Sequence, residues 1–217
     1  MTTEQARNII RDKKQELGER LVILGHHYQN DEIIEFADYV GDSLELARKA
    51  SQAGSADYIV FCGVYFMAES AAILAPDKAV FIPNSEAGCP LADMADPVRV
   101  TRAWDELVRA GIDALPVTYV NSSARIKAFC GERGGIVCTS GNARRVFEWA
   151  FKRSDKIFFM PDMNLGTNTA RQMGIPDGEI VVWDPEKPTG GISKQALARA
   201  RVVLWKGWCP VHWPQFR

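Results

Sequence analysis

The sequence predicts an α/β protein built as two similar three-layer αβα modules on parallel sheets. Three observations lead there. The stretch LVILGHHYQN, Leu21 to Asn30, runs apolar or small residues straight into two histidines, a tyrosine and two amides. That is the mark of a strand buried on both faces and ending in a polar cluster. Apolar runs of this kind alternate with helix-period segments along the chain, the pattern of a parallel sheet covered by helices on both sides. The two halves also echo each other, so that residues 1–96 read as one module and residues 97–217 as a second.

The amino-terminal MTTEQARNIIRDKKQEL is a charged amphipathic helix, without the apolar core and cleavage site of a secretion signal. After the first strand, Asp31 can cap a helix over EIIEFADYV that stops at Gly41. A second helix enters through Gly41-Asp42-Ser43 and continues through LELARKASQAG. DYIVFC is the next strand, VYFMAESAAILA a helix ended by Pro76, and AVFIP a third strand. The loop NSEAGCPLADM carries Cys89, and Pro97 suits the first turn of the helix VRVTRAWDELVRAG. The second half restarts with LPVTYVNSSARIKAFC: strand, polar cluster, helix. GIVCT is a strand, after which Ser140 opens the helix GNARRVFEWAFK. KIFFMP and GEIVVW are strands, NLGTNTARQMG and KQALARA helices, and DPEKPTGGIS a loop; RVVLWKGWCPVHW closes the chain.

Composition narrows the function classes. The chain has 217 residues, 47% hydrophobic and 24% charged, with a net charge of −1. That balance gives no basis for a nucleic-acid or membrane surface. No apolar run approaches the ~20 residues that span a bilayer. A cytoplasmic protein is expected, whose five cysteines serve as fillers, metal ligands or catalytic groups rather than disulfides.

The candidate chemistry lies at strand ends, where open α/β sheets bind ligands. His26 and Tyr28 end the first strand, and Tyr119 and Asn121 occupy the matching place in the second half. A histidine beside a tyrosine can move protons, and a tyrosine with an asparagine can orient a carboxylate. Plain packing of rings at sheet ends is the alternative. Ser43 and Ser140 sit at expected helix starts, where unpaired N–H groups and a hydroxyl favour anions; both can equally be ordinary caps. Cys89 and Cys209 stand in loops after the last strand of each half, each followed by proline. From spacing alone an iron–sulfur cluster, a zinc site using Cys209 and His212, and no metal at all stay open. Cys62, Cys130 and Cys138 read as structural fillers, and Glu69 as a solvated or capping carboxylate.

The segments GHHYQ, FADYVGDSLELA, FCGVYFMAE, EAGCPLADM, YVNSSA, CTSGNA, PDMNLG and WKGWCPVH resemble, in this order, the successive motifs of the quinolinate synthase family. The resemblance implies condensation of iminosuccinate with dihydroxyacetone phosphate to quinolinate, with loss of water and phosphate, on the de novo route to NAD. It implies a 4Fe-4S cluster held by three cysteines, one from each of three αβα domains, with the fourth iron open as a Lewis acid. On the matching positions Cys89 and Cys209 are two cluster ligands. His26 is a substrate-binding and proton-handling histidine, and Tyr28 the catalytic tyrosine. Ser43, Tyr119, Asn121 and Ser140 bind substrate carboxylates, and His212 lies near the cluster with a substrate contact. His27 falls where the family often has asparagine and is left out of the site. A functional link to L-aspartate oxidase or dehydrogenase is implied, with no nucleic-acid or membrane partner. The sequence stops just after the second ligand motif, so the family's third module and third cysteine are expected to be absent. The faces they would cover are then expected to favour self-association. Beside the enzyme stands the alternative of a non-catalytic module that binds a dicarboxylate or phosphate without a complete cluster, and, behind both, a zinc-dependent lyase.

Overall fold

The computed structural model describes residues 1–211. The chain divides into two compact units, Met1–Gly88 and the part from Cys89 on. Strand pairing is parallel throughout both sheets, with helices flanking them, so the α/β class read from the sequence holds.

The first unit contains α1 (Thr3–Leu17), β1 (Leu21–His26), α2 (Asp31–Ile34), β2 (Tyr39–Gly41), α3 (Ser43–Ser51), β3 (Tyr58–Cys62), α4 (Tyr65–Leu74) and β4 (Ala79–Phe81), in the sheet order β2-β1-β3-β4. A capping box between Thr2 and Gln5 starts α1, satisfying two backbone donors at once. Leu46, Ala47 and Ala50 of α3 and Phe66, Met67 and Ala71 of α4 are buried, as are Leu24, Ile59 and Phe61 of the sheet. By contrast, α1 buries no residue. Its Ile9 and Ile10, with Ile23, Phe36 and Val60, line a cavity of about 570 Å³.

The expected helix over EIIEFADYV is only one turn long, and Tyr39–Gly41 is instead a strand beside β1. Asp38 explains the change. Its carboxylate accepts from the Ile23 N–H at 2.8 Å, and its own N–H donates to the Ile23 carbonyl at 2.8 Å. Satisfying the open edge of β1 outweighs the weak helical preference of this short segment.

The second unit contains α5 (Pro90–Asp93), α6 (Pro97–Arg109), β5 (Ala114–Tyr119), α7 (Ala124–Glu132), β6 (Ile136–Cys138), α8 (Ala143–Phe151), β7 (Lys156–Met160), α9 (Met163–Gln172), β8 (Ile180–Trp183), α10 (Lys194–Arg199) and β9 (Val202–Trp205). The sheet order is β6-β5-β7-β9-β8. Successive strand residues feed opposite faces, and both faces are apolar. Phe158, Met160, Val203 and Trp205 join one core with residues of α6, α7 and α10. Ile157, Phe159, Val202 and Leu204 join the other with residues of α8 and α9. A strand buried on both faces must read as a continuous apolar run, which is how KIFFM and VVLW read.

The two sheets share a plan. In each, the first strand lies between the second and third, and β4 and β9 each pair with the third. The second unit adds β8 at the edge beyond β9. Cys89 therefore follows β4 as Cys209 follows β9. Among the described residues no helix is long and apolar enough to cross a membrane.

Candidate functional site

In the first unit the carboxyl end of β1 lies between two neighbouring strands, the topological switch where α/β sheets open a crevice. His26 ends β1 and is buried, whereas Tyr28 is 77% exposed. His26 and His27 stack with centroids 4.3 Å apart, and the Tyr28 ring stands edge-on to both. The Tyr28 N–H donates to His26 Nδ1 at 3.3 Å, and His27 Nδ1 lies 3.1 Å from the Gly41 carbonyl oxygen. Burial lowers the His26 pKa, the charge of His27 lowers it further, and the Asp42 carboxylate works the other way.

Ser43 lies where expected, buried at the start of α3, but it is not the cap. Asp42 is, its Oδ1 accepting from the N–H groups of Leu44 at 2.9 Å and Glu45 at 2.8 Å. A carboxylate makes charge-assisted bonds and complements the helix dipole, so it takes the position ahead of a hydroxyl.

In the second unit Tyr119 ends β5 at the equivalent switch point. Burial, followed by the Asp162 carboxylate, pushes the Tyr119 phenol up to about 12; a hydrogen bond with the Ser140 side chain partly offsets them. The phenol therefore stays a neutral donor near pH 7. Asp162, itself buried, follows β7 and caps α9 through the N–H groups of Asn164 at 2.8 Å and Leu165 at 3.0 Å. Ser140 does not open α8, which begins at Ala143. The Asn142 side chain turns back to accept from the Thr139 N–H at 2.7 Å, closing a turn that leaves Ser140 exposed and outside the helix. The helix-end anion site expected at Ser140 is thus not formed, and its hydroxyl serves Tyr119 instead.

Both cysteine loops belong to this unit. Cys89 occupies the cap position of α5, and the Asn121 side-chain amide donates to its sulfur at 3.8 Å. Met94, just beyond α5, holds the other loop. Its carbonyl accepts from Trp205 Nε1 at 2.8 Å and its thioether from the Trp208 N–H at 3.4 Å. The Gly207 carbonyl accepts from the Met163 N–H at 2.9 Å. Cys209 lies close enough to Tyr119 to act on its phenol. Both thiols are half-buried and free. Cys130 and Cys138 are buried, and burial pushes both thiols up to about 12, which suits inert fillers. Cys62, expected to be fully buried, is half-buried and lines the first unit's cavity.

Two half-buried thiols, one of them beside the Asn121 amide, have the chemistry of iron–sulfur ligands. Among the described residues no group of three or more His, Cys, Asp and Glu side chains could hold a metal ion. Cys89 and Cys209 therefore stand as two candidate thiol ligands, with no three-residue metal-binding group among the described residues. His212, and with it the Cys209–His212 pair, lies outside the described residues. Asp42, Asp162 and Met94 were not singled out from the sequence. The two aspartates carried a signal, an acidic residue directly ahead of a helix. Met94 carried none, because its role depends on the distant Trp205 and Trp208.

A family model described as NadA, quinolinate synthetase A protein, matches residues 8–216. A quinolinate synthase of Nocardioides sp. is 53% identical over 212 residues, which cover 93% of this chain and 54% of that protein. One from Acidobacterium capsulatum is 54% identical over 200 residues, covering 90% and 53%. One from Corynebacterium glutamicum is 53% identical over 206 residues, covering 94% and 52%. The chain spans about half the length of the curated relatives it matches.

Proposed function

The chain belongs to the quinolinate synthase family, and on that premise we propose that it serves the condensation of iminosuccinate with dihydroxyacetone phosphate. Quinolinate, phosphate and two waters are the products. The observation that supports this best is the cluster at the second unit's strand ends. Asn121 bonded to the Cys89 sulfur, and Tyr119 within electrostatic range of Ser140 and Cys209, support a reading in which carboxylate donors serve a site near these thiols.

Tyr119 keeps its proton and donates a hydrogen bond to a substrate carboxylate; a phenolate there would repel the same group. Asn121 and Ser140 add neutral donors, and Ser43 serves the same purpose in the first unit. Tyr28, exposed beside His26, carries the proton transfers of condensation and dehydration. Cys89 and Cys209 would be two thiolates of a 4Fe-4S cluster, and a third would have to come from outside this sequence, since residues 212–217 hold no cysteine and burial keeps Cys130 and Cys138 protonated. When bound, such a cluster supplies a Lewis acid. The reaction belongs in the cytoplasm, with L-aspartate oxidase or dehydrogenase as the source of iminosuccinate.

Anaerobic reconstitution with ferrous iron and sulfide tests the reading, with bound iron, charge-transfer absorbance and quinolinate formation measured together. Two thiolates should hold iron only sub-stoichiometrically in the wild type and in Cys130→Ser, and that iron should be lost in Cys89→Ser and Cys209→Ser. Calorimetry with a dicarboxylate should show roughly 10-fold or greater weakening in Tyr119→Phe, the cost of leaving a charged acceptor short of a donor. Dicarboxylate binding without iron in any preparation, and without quinolinate, would instead establish a non-catalytic anion-binding module.

A further inference from the structure

One ring nitrogen of His26 is committed before any ligand arrives. The Tyr28 backbone N–H donates to Nδ1 at 3.3 Å, and a nitrogen that accepts a hydrogen bond carries no proton. The neutral ring then bears its hydrogen on Nε2. His27 lies across the same ring, 27° from parallel. Its Nδ1 faces the Gly41 carbonyl at 3.1 Å, and a carbonyl oxygen only accepts, so that nitrogen carries a proton. Gly41 is the β2 partner of His26 in the sheet register, so His27 is tied to the strand beside the ring it covers.

We propose that His27 is a positioning residue that, with the Tyr28 backbone, holds His26 as the neutral Nε2–H tautomer, making His26 a hydrogen-bond donor to a substrate oxygen rather than a base. This rests on the reading that His26 meets substrate. Three titratable groups face the ring: His27 stacked on it, Tyr28 edge-on at 4.8 Å, and Asp42 at the head of α3. Of these, Asp42 alone favours the imidazolium, and its Oδ1 is already engaged by two backbone N–H groups. A proton on His26 Nδ1 would set N–H against N–H at Tyr28 and, with His27 charged, place two cations face to face. A neutral imidazole can polarise a carbonyl or carboxyl oxygen while keeping its own proton.

The linkage has a definite sign. The folded-state pKa of His26 lies below its unfolded value of about 6.5. The unfolded chain therefore binds more protons in acid, and the stability tied to His26 is lost as pH falls below about 6.5.

The chain has three histidines, so imidazole-labelled protein can be followed by proton–nitrogen NMR through a pH titration. Loss of signals in His26→Gln assigns the ring. Near pH 7, His26 should show a bare Nδ1 and a protonated Nε2, and His27 a protonated Nδ1. In His27→Phe, which keeps a stacked ring without its charge, the His26 midpoint should move up. A proton on His26 Nδ1 near pH 7, or a midpoint that His27→Phe leaves in place, overturns the proposal. Wild-type tautomers decide the first point even where the variant fails to fold. A dicarboxylate titrated into the wild type separates the premise. If the tautomers stand as stated but the ligand leaves His26 unshifted, the substrate reading falls while the tautomer assignment survives.

Discussion

Trp205→Ala is expected to lower the unfolding free energy by about 3–5 kcal/mol, the cost of emptying a large buried aromatic site. Trp205 is wholly buried in the core shared with Phe158, Phe129 and Leu107, and its ring packs edge-on to Phe158 at 6.4 Å. A domain has about 5–15 kcal/mol in all, so a loss of this size removes a large part of it. Trp205→Phe separates two contributions. It keeps most of the ring but deprives the half-buried Met94 carbonyl of its donor, at about 0.5–1.5 kcal/mol, the net worth of an ordinary hydrogen bond. Urea unfolding followed by far-ultraviolet circular dichroism should rank wild type above Trp205→Phe above Trp205→Ala. Because Met94 directly follows the helix that Cys89 caps, both variants should also make Cys89 quicker to react with a thiol reagent. An unchanged urea midpoint in Trp205→Ala would contradict the packing account.

Gly207→Ala is the second large effect. A Cβ at this position would stand 2.4 Å from the Pro161 carbonyl oxygen and 3.4 Å from the Met94 Cβ. The first neighbour is backbone, fixed between β7 and α9, and cannot swing aside as a side chain would. Overpacking of this kind costs about 1–3 kcal/mol. The loop has to lift away, breaking the bond from the Met163 N–H to the Gly207 carbonyl and carrying Trp208 and Cys209 with it. Iron retention after anaerobic reconstitution should fall along with the urea midpoint. Gly178→Ala is the control, since nothing lies within 4 Å of its added Cβ. Wild-type iron content and stability in Gly207→Ala would show that the close approach is not rigid.

What could be read from the sequence follows from how each element is stabilised. KIFFM announced itself because both its faces are apolar, leaving no other place for it than a sheet interior, whereas VVLW, apolar in the same way, is given no element in the sequence reading and proves to be β9. The strand Tyr39–Gly41 did not. Tyr39 and Val40 are exposed, and what makes the segment a strand is Asp38 bonded to Ile23, a contact invisible to local pattern. The serines were placed near the right loops but given the wrong local job. At α3 the neighbouring Asp42 is the stronger acceptor, and before α8 Asn142 folds back on Thr139. Cys89 and Cys209 were legible as loop cysteines from their flanking glycine, tryptophan and proline. That their loops are secured through one methionine was not, because that bracing joins residues more than a hundred positions apart. Nothing in the local sequence marks His27; the role proposed for it depends on its ring lying against His26.

The amino-terminal helix is fastened differently from everything else in its unit. It buries no residue, and its polar attachments include Arg7 to Glu35, Arg11 to Glu35, Lys14 to Asp38 and Lys14 to the Phe36 carbonyl. Bonds of this type weaken as dissolved ions screen them, while the oily contacts beneath α3 and α4 strengthen in excluded salts such as sulfate. A sulfate salt therefore acts oppositely on the two sides of the same sheet, loosening the helix beside the cavity of about 570 Å³ while tightening the packing under α3 and α4.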